Sequence, residues 1–105
     1  MGEIEKSTKS VHTVYISGKV SGIEDKATLL FAEAEQDLID KGFKVVNPTT
    51  LAHDHDLSWE NYMRADIRAL MGCDGVYLLR NWADSRGAKI ERRIATELGM
   101  EIYYQ

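Results

Sequence analysis

The sequence is poor in cysteine and proline, with one of each, and it has no long apolar run and no cluster of basic residues. Its single cysteine, Cys73, excludes an internal disulfide framework and fits a reducing compartment. No apolar stretch approaches the roughly 20 residues of a membrane-spanning helix, and residues 1–10 lack the apolar centre of a signal peptide. These absences predict a cytoplasmic protein that carries no membrane segment.

The charge balance is acidic, with 17 Asp and Glu against 13 Lys and Arg and a net charge of −4. Such a balance argues against a surface for polymeric nucleic acid, although local groups can still bind a small anion. At 105 residues the chain is long enough for one domain with a modest core. Residues 1–10 are polar and without period, so we predict a loose tail followed by a single domain over residues 11–105.

Strand and helix patterns alternate along this domain. β-Branched and aromatic residues predict strands over residues 11–17, 43–46, 75–79 and 101–104. Three amphipathic helices lie between them, with predicted N-terminal caps at Asp25, at Ser58 and at Asp84 or Ser85. The alternation predicts the α/β class, as a three-layer Rossmann-like or flavodoxin-like sandwich with a small parallel sheet. In such folds ligands bind beyond the carboxyl ends of the strands.

A carboxylate occupies an apolar position of the last helix. The apolar stripe of that helix consists of Ile90, Ile94, Ala95 and Leu98. Glu91 falls within the same stripe, and because helical side chains lean toward the N-terminus it reaches over the small residues Gly87 and Ala88. This pattern predicts a half-buried acid above a small hollow. The alternative is an exposed glutamate paired with a basic neighbour such as Lys89 or Arg92.

A second carboxylate, Asp66, lies in the apolar face of the preceding helix, between Met63 and Leu70. It is either a functional acid or a buried carboxylate held by capping donors or by Arg64 or Arg68. Two acids in apolar positions of successive helices favour a functional site, because a desolvated acid is costly unless it is paired or used.

A glycine-containing loop follows the first strand and carries Ser17, Gly18, Lys19, Val20, Ser21 and Gly22. Glycines let backbone N–H groups approach an anion closely, and Lys19 and the serine hydroxyls add direct contacts. The other interpretation is an ordinary turn, since glycine serves both purposes. The loop alone does not decide between phosphate binding and a plain turn.

Histidines and tryptophans lie near the same edge of the predicted sheet. His53 and His55 alternate with aspartates, but a metal site needs three or four ligands of defined geometry, so we favour a solvated loop or the rim of a site. We predict neither a metal nor a cofactor. Trp59 lies on a helix stripe and is expected in the core, whereas Trp82 lies beside the acid and is equally suited to core and pocket.

Four segments together resemble the nucleoside 2-deoxyribosyltransferase superfamily. They are residues 15–22 (YISGKVSG), Asp66, residues 73–76 (CDGV) and residues 85–91 (SRGAKIE). The chain is most similar to the 2′-deoxynucleoside 5′-phosphate N-hydrolase branch among relatives of known activity, and to small bacterial and phage proteins of unassigned function overall. The motif Ser-x-Gly-x-x-x-Glu is the more specific part of the resemblance.

The resemblance implies a mechanism and a set of roles. Glu91 would attack the anomeric carbon of a 2-deoxyribosyl group and form a covalent glycosyl ester, which water or a second base would resolve. Tyr15 and Asp66 would orient the nucleophile and bind the sugar or assist the leaving base. Substrate would be held by Ser17, Gly18, Lys19, Val20, Ser21, Gly22, Trp82, Ser85 and Gly87. The partner would be a small nucleoside or nucleotide, and relatives imply a homodimer or higher homo-oligomer.

The chain also departs from that pattern. The hydrolase branch has an arginine in its phosphate loop where this chain has Ser21, and Lys19 offers its charge from a different position. The chain ends soon after the last predicted strand, where relatives carry further site residues. A nucleotide-binding or sensing module without turnover is therefore the second hypothesis, and a structural or interaction domain is the third.

Overall fold

The computed structural model describes residues 12–53 and 55–105. Within them the elements follow in the order β1 (Thr13–Ser17), α1 (Glu24–Asp40), β2 (Lys44–Val46), α2 (Trp59–Met71), β3 (Gly75–Leu78), α3 (Arg86–Glu97) and β4 (Glu101–Tyr104). Short 3₁₀ turns cover Pro48–Thr50 and Trp82–Asp84. The predicted tail and Val11, the first residue of the first predicted strand, lie outside the described residues. None of the helices in the described ranges is long and apolar enough to cross a bilayer.

The four strands form one parallel sheet in the order β2-β1-β3-β4. Helix α1 covers one face of this sheet, and α2 and α3 cover the other. The predicted three-layer α/β sandwich is therefore confirmed. Strand order reverses between β1 and β3, and the crevice beyond the carboxyl ends of these two strands is where such sheets bind ligands.

Alternation along β1 decides which side chains meet which helices. Val14 and Ile16 pack against α1, whereas Tyr15 packs in the core under α2 and α3. Ser17 follows Tyr15 by two residues and therefore points to the same face. It is only 1% exposed, which leaves a hydroxyl inside an otherwise apolar layer. The α2 and α3 face of the sheet thus carries two buried O–H groups at the end of β1.

Two of the predicted helix caps are confirmed and one is wrong. The Ser58 hydroxyl accepts a hydrogen bond from the Asn61 N–H, and Ser85 accepts from Ala88, as expected for N-caps. Asp25 is not a cap, because α1 already begins at Glu24 and Asp25 lies within its first turn. Since Asp25 is helical, its side chain does not reach the free N–H groups as a capping residue would.

Three residues of the apolar helix faces that the sequence predicts are exposed, namely Tyr62 in the first turn of α2, Met71 at its end and Leu98 after α3. Leu98 is 59% exposed because α3 ends at Glu97, so this residue no longer lies on the helix face that packs on the sheet. Met71, at the end of α2, is 46% exposed, whereas Met63 and Leu70 carry the buried stripe of that helix. The helical phase was therefore right, and the errors lie at helix ends.

Candidate active site

Glu91 lies in the core at the carboxyl end of β1 and is only 4% exposed. The Tyr15 hydroxyl donates a hydrogen bond to its Oε2 at 2.8 Å, and the Ser17 hydroxyl donates to its Oε1 at 2.6 Å. Each carboxylate oxygen therefore has one O–H donor. The burial excludes the exposed ion pair that was the alternative interpretation, and the two hydroxyls fix where the carboxylate points.

Burial raises the pKa of Glu91 to about 7, and the negative charge of Asp66 adds to this effect, while the hydrogen bonds from Ser17 and Tyr15 act in the opposite direction. An ionised carboxylate is an acceptor on both oxygens, which matches the two donors it receives. Glu91 therefore changes its protonation state near neutral pH, where a group can serve as nucleophile or base.

Asp66 is the second acid of this region and projects from α2. Its Oδ1 is buried and has no hydrogen-bond partner among the described residues. Burial raises the pKa of Asp66 to about 6, and the only opposing effect comes from His55. Arg64, one of the predicted partners, instead donates to Asn61. A protonated Asp66 can give its proton to a bound molecule, because no protein acceptor competes for it in the described part of the chain.

A cavity of about 590 Å³ opens between the end of β1 and the N-terminal halves of α2 and α3. Its size suits a small organic molecule. Of the predicted site residues, those that line it are Tyr15, Gly18, Lys19, Val20, Ser21, Asp66, Ser85, Gly87 and Glu91. The fold thus brings together residues from three separate segments that the sequence singled out.

Three predicted substrate-binding residues do not line this cavity. Ser17 lies beneath it, with its hydroxyl committed to Glu91. Gly22 has a φ of +86°, and it serves the turn before α1. Trp82 packs against the core under α2 and α3, and its ring lies 6.1 Å from that of Tyr104. The position of Trp82 differs from the pocket expectation because the 3₁₀ turn directs its side chain toward β4.

The glycine loop offers fewer free N–H groups than its sequence suggested. The Lys19 N–H donates to the Asn81 side chain at 3.0 Å, and the Gly22 N–H donates to the Glu24 carboxylate at 3.1 Å. Gly18 is needed for packing, since an added Cβ would lie 2.7 Å from Leu79. The Lys19 ammonium reaches across to the backbone carbonyl of Asp84 at 3.2 Å. The loop therefore presents side chains to the cavity more than backbone amides.

Trp59 and Arg86 are cavity residues that the sequence interpretation missed. Trp59 lines the cavity and is not a core residue, and the Arg86 guanidinium lies 4.1 Å from its ring centroid. This cation–π contact joins the start of α2 to the start of α3. Gly87 allows the two helices to approach, because an added Cβ would lie 2.9 Å from the Met63 sulfur. The only available signal was the position of both residues in the first turn of a helix, at the ligand-binding edge.

The histidine loop borders the cavity at His53. His53 and His55 contact each other through their ring nitrogens, and both rings pack on Tyr62. Asp54, between them, lies outside the described residues. Within residues 12–53 and 55–105 no group of three or more His, Cys, Asp or Glu side chains has the arrangement of a metal site.

Two solved structures share this fold. The chain matches a 2-desoxiribosyltransferase from Leishmania mexicana with a TM-score of 0.67 and 18% identity, over 89% of this chain and 63% of that one. It matches a 2-deoxyribosyltransferase from Bacillus psychrosaccharolyticus with a TM-score of 0.66 and 21% identity, over 88% of this chain and 70% of that one. This chain thus spans less than two thirds of the length of the first structure.

A search of curated proteins found no match. A family model described as a domain of unknown function, DUF4406, matches residues 12–104. The protein therefore has the nucleoside 2-deoxyribosyltransferase-like fold and belongs to the DUF4406 family.

Proposed function

We propose that this protein cleaves the N-glycosidic bond of a deoxynucleoside or deoxynucleotide through a covalent Glu91 intermediate, as an N-glycosidase or a deoxyribosyltransferase. The observation that carries the proposal is the buried Glu91 at the cavity, with one O–H donor on each oxygen. The shared fold and the Ser-x-Gly-x-x-x-Glu motif support it. The domain that performs this function would be residues 11–105.

In the first step a carboxylate oxygen of Glu91 attacks the anomeric carbon of the sugar. The C–N bond breaks, and its electron pair leaves with the base. The reactive form has Glu91 ionised and the proton on Asp66, and it is the minor one of the two singly protonated forms because the pKa of Glu91 lies above that of Asp66. Asp66 gives this proton to the base, because a neutral base is a better leaving group than an anion. Tyr15 keeps the carboxylate oriented during the attack. The sugar is then joined to Glu91 by an ester bond.

In the second step water or a second base attacks the same carbon, and the ester oxygen returns to Glu91 as a carboxylate. Asp66, now ionised, accepts the proton that the incoming group loses, which restores the starting state. A sugar without a 2′-hydroxyl suits this route, because an electron-withdrawing oxygen beside the anomeric carbon destabilises an oxocarbenium-like transition state.

A 5′-phosphate, where present, would bind at the start of α3. Ser21 and Ser85 offer hydroxyls there, and Lys19 and Arg86 offer positive charge, all four from the cavity wall. The helix N-terminus also favours an anion. The hydrolase branch has an arginine in its phosphate loop where this chain has Ser21, and Arg86 would supply a guanidinium from the start of α3 instead. The homodimer implied by the resemblance and the cytoplasmic location stay predictions.

The test is a panel of deoxynucleosides and their 5′-monophosphates, incubated with the protein while free base is followed by chromatography. We expect release of base from at least one of them. Rapid denaturation during turnover should also yield protein whose mass is increased by one deoxyribosyl group, located on the peptide that contains Glu91. If no substrate in the panel releases base, the proposed activity is wrong.

Ser17 acts on the reaction through Glu91, so its replacement should change the pH profile. In Ser17→Ala the carboxylate loses one of two donors, and its pKa should rise further. The reactive form carries one proton on the two acids, so the falling limb of kcat against pH follows the higher pKa, which is that of Glu91. This falling limb should then move to higher pH by about one unit, corresponding to one lost hydrogen bond to a charged group. KM should stay unchanged, because Ser17 does not line the cavity.

The matched control is Thr96→Ala, which removes an exposed hydroxyl from α3, the helix that carries Glu91, where the hydroxyl donates to the Arg92 carbonyl. The control should keep the wild-type profile. An unchanged falling limb in Ser17→Ala would contradict the role of Ser17 in holding the nucleophile.

The second candidate is a nucleotide-binding module without turnover. It is motivated by Ser21, which stands in the loop where the hydrolase branch that the chain resembles carries an arginine. Calorimetric titration with the same panel separates the two candidates. Binding without release of base would support the module, and absence of any binding would remove both.

A further inference from the structure

Two histidines outside the proposed catalytic pair form a directed chain of hydrogen bonds. The Nδ1 of His55 lies 2.5 Å from the backbone carbonyl of Asp56, and the Nδ1 of His53 lies 2.7 Å from the Nε2 of His55. A carbonyl only accepts, so His55 carries its proton on Nδ1. In the neutral His55 ring the Nε2 is then an acceptor, and the proton between the rings belongs to His53.

The positions of these protons decide whether the Nε2 of His53, the last nitrogen of this series of hydrogen bonds, is a donor or an acceptor. With Nδ1 of His53 protonated, the Nε2 of the neutral ring is an acceptor, and it has no partner among the described residues. His53 also lines the cavity, whereas His55 does not. The cavity wall therefore holds the imidazole of His53, and the hydrogen bonds of His53 and His55 make its Nε2 an acceptor.

The helix α2 relates the acids to this imidazole. The ring of His53 packs on Tyr62, which lies one helical turn before Asp66 on α2. Glu91, Asp66 and His53 all line the cavity, so the imidazole lies beside the acid that is assigned to the leaving base. In a deoxynucleoside the leaving nitrogen adjoins the anomeric carbon and the far edge of the base lies beyond it, so a base that takes its proton from Asp66 can extend to His53.

Aromatic rings lie near the Nε2 acceptor of His53. The ring of His53 lies 4.6 Å from that of Tyr62, and Trp59 lines the same cavity. A planar base can lie against such surfaces, and one polar group among them fixes its orientation. A role for His53 in activating water fits less well, because water must attack at the sugar carbon beside Glu91.

We propose that His53 recognises the leaving nucleobase, its Nε2 accepting a hydrogen bond from an exocyclic amino group at the far edge of the base, as in adenine or cytosine. His55 is the positioning residue that keeps this nitrogen an acceptor. The inference rests on the proposed function for the orientation of the substrate, and it selects amino bases over bases with a carbonyl at that place.

The test compares deoxyadenosine with purine 2′-deoxyriboside, which differs only in lacking the 6-amino group, each as nucleoside and as 5′-monophosphate. The readout is the ratio of kcat/KM for the two. Comparing this ratio between variants cancels the intrinsic difference between the leaving groups. In His53→Phe the ratio should fall about 10- to 100-fold, the value of one buried hydrogen bond to an otherwise unpaired group.

Two further variants and a control complete the design. His53→Gln, whose amide oxygen can accept near the same place, should keep part of the preference, and His55→Phe should lose part of it. His12→Phe, a half-buried histidine that does not line the cavity, should keep the wild-type ratio. Circular dichroism checks folding, and if His53→Phe does not fold, the other two variants decide the outcome.

An unchanged ratio in His53→Phe, or in both other variants where that one does not fold, would overturn the inference while leaving base release intact. Calorimetry tests the opposite case, in which the proposed activity fails and the recognition of the base by His53 holds. If the wild type releases no base but binds deoxyadenosine more tightly than purine 2′-deoxyriboside, and His53→Phe loses that preference, recognition by His53 holds although the proposed activity fails. Equal binding of both ligands by the wild type would contradict it.

Discussion

Replacing Glu91 by alanine should reduce the release of base by at least about 10³-fold, because the variant has no oxygen to form the glycosyl ester. Substrate should still bind with a similar Kd, since the cavity keeps its hydroxyls and its positive groups. The measurement is single-turnover release of base by the purified variant, beside its Kd from calorimetry. The mass increase expected for trapped wild-type protein should be absent.

Glu97→Ala is the matched control for this experiment. Glu97 belongs to the same helix, is exposed and pairs with Arg93 at the surface. Its removal should leave both rate and binding at wild-type values. Release of base by Glu91→Ala at a rate within tenfold of wild type would show that the nucleophile is another group.

Glu91 should also make the protein less stable as pH rises from about 4.5 to about 7. Its pKa is 4.5 in an unfolded chain and about 7 in the fold, so in this window the native state holds a proton that the unfolded state has lost. Unfolding then releases a proton, and the free energy of unfolding falls with increasing pH. The pKa difference corresponds to a decrease of about 3 kcal/mol in the free energy of unfolding, and this decrease is complete above pH 7.

Glu91→Gln should flatten this dependence, because glutamine does not ionise. Urea unfolding at pH 5, 6, 7 and 8 provides the measurement, and Glu97→Gln provides a control at an exposed position of the same helix. Asp66 contributes a slope of the same sign, since its pKa is also raised, so the variant should keep part of the dependence. The prediction fails if wild type and Glu91→Gln lose stability in parallel across this range.

Much of the fold could be predicted because periodicity and helix ends are local properties. The alternation of short β-branched runs with amphipathic helices gave the parallel sheet, and Ser58 and Ser85 cap the helices that their positions suggested. Asp25 was misplaced by less than one turn. A boundary depends on which of several polar residues meets the free N–H groups, and neighbouring side chains compete for that position.

The candidate site was predictable in part. Glu91 stood out because a carboxylate in an apolar stripe conflicts with its surroundings, and the structure places it in the core. Trp59 was expected in the core and instead lines the cavity, whereas Trp82, for which core and pocket were both open, packs in the core and against β4. Nothing local distinguishes two tryptophans near helix starts, because the direction of each side chain depends on the turn that precedes it.

The spacing of side chains along single segments was enough to predict the secondary structure, the sheet class and the two acids that occupy apolar positions. Which groups come into contact depended on how distant segments pack together. Ser17 and Tyr15 reach Glu91 across separations of 74 and 76 residues. Arg86 meets Trp59, and His53 lines the same cavity as Asp66. Such contacts depend on how helices pack on the sheet, and packing is settled by the whole core at once.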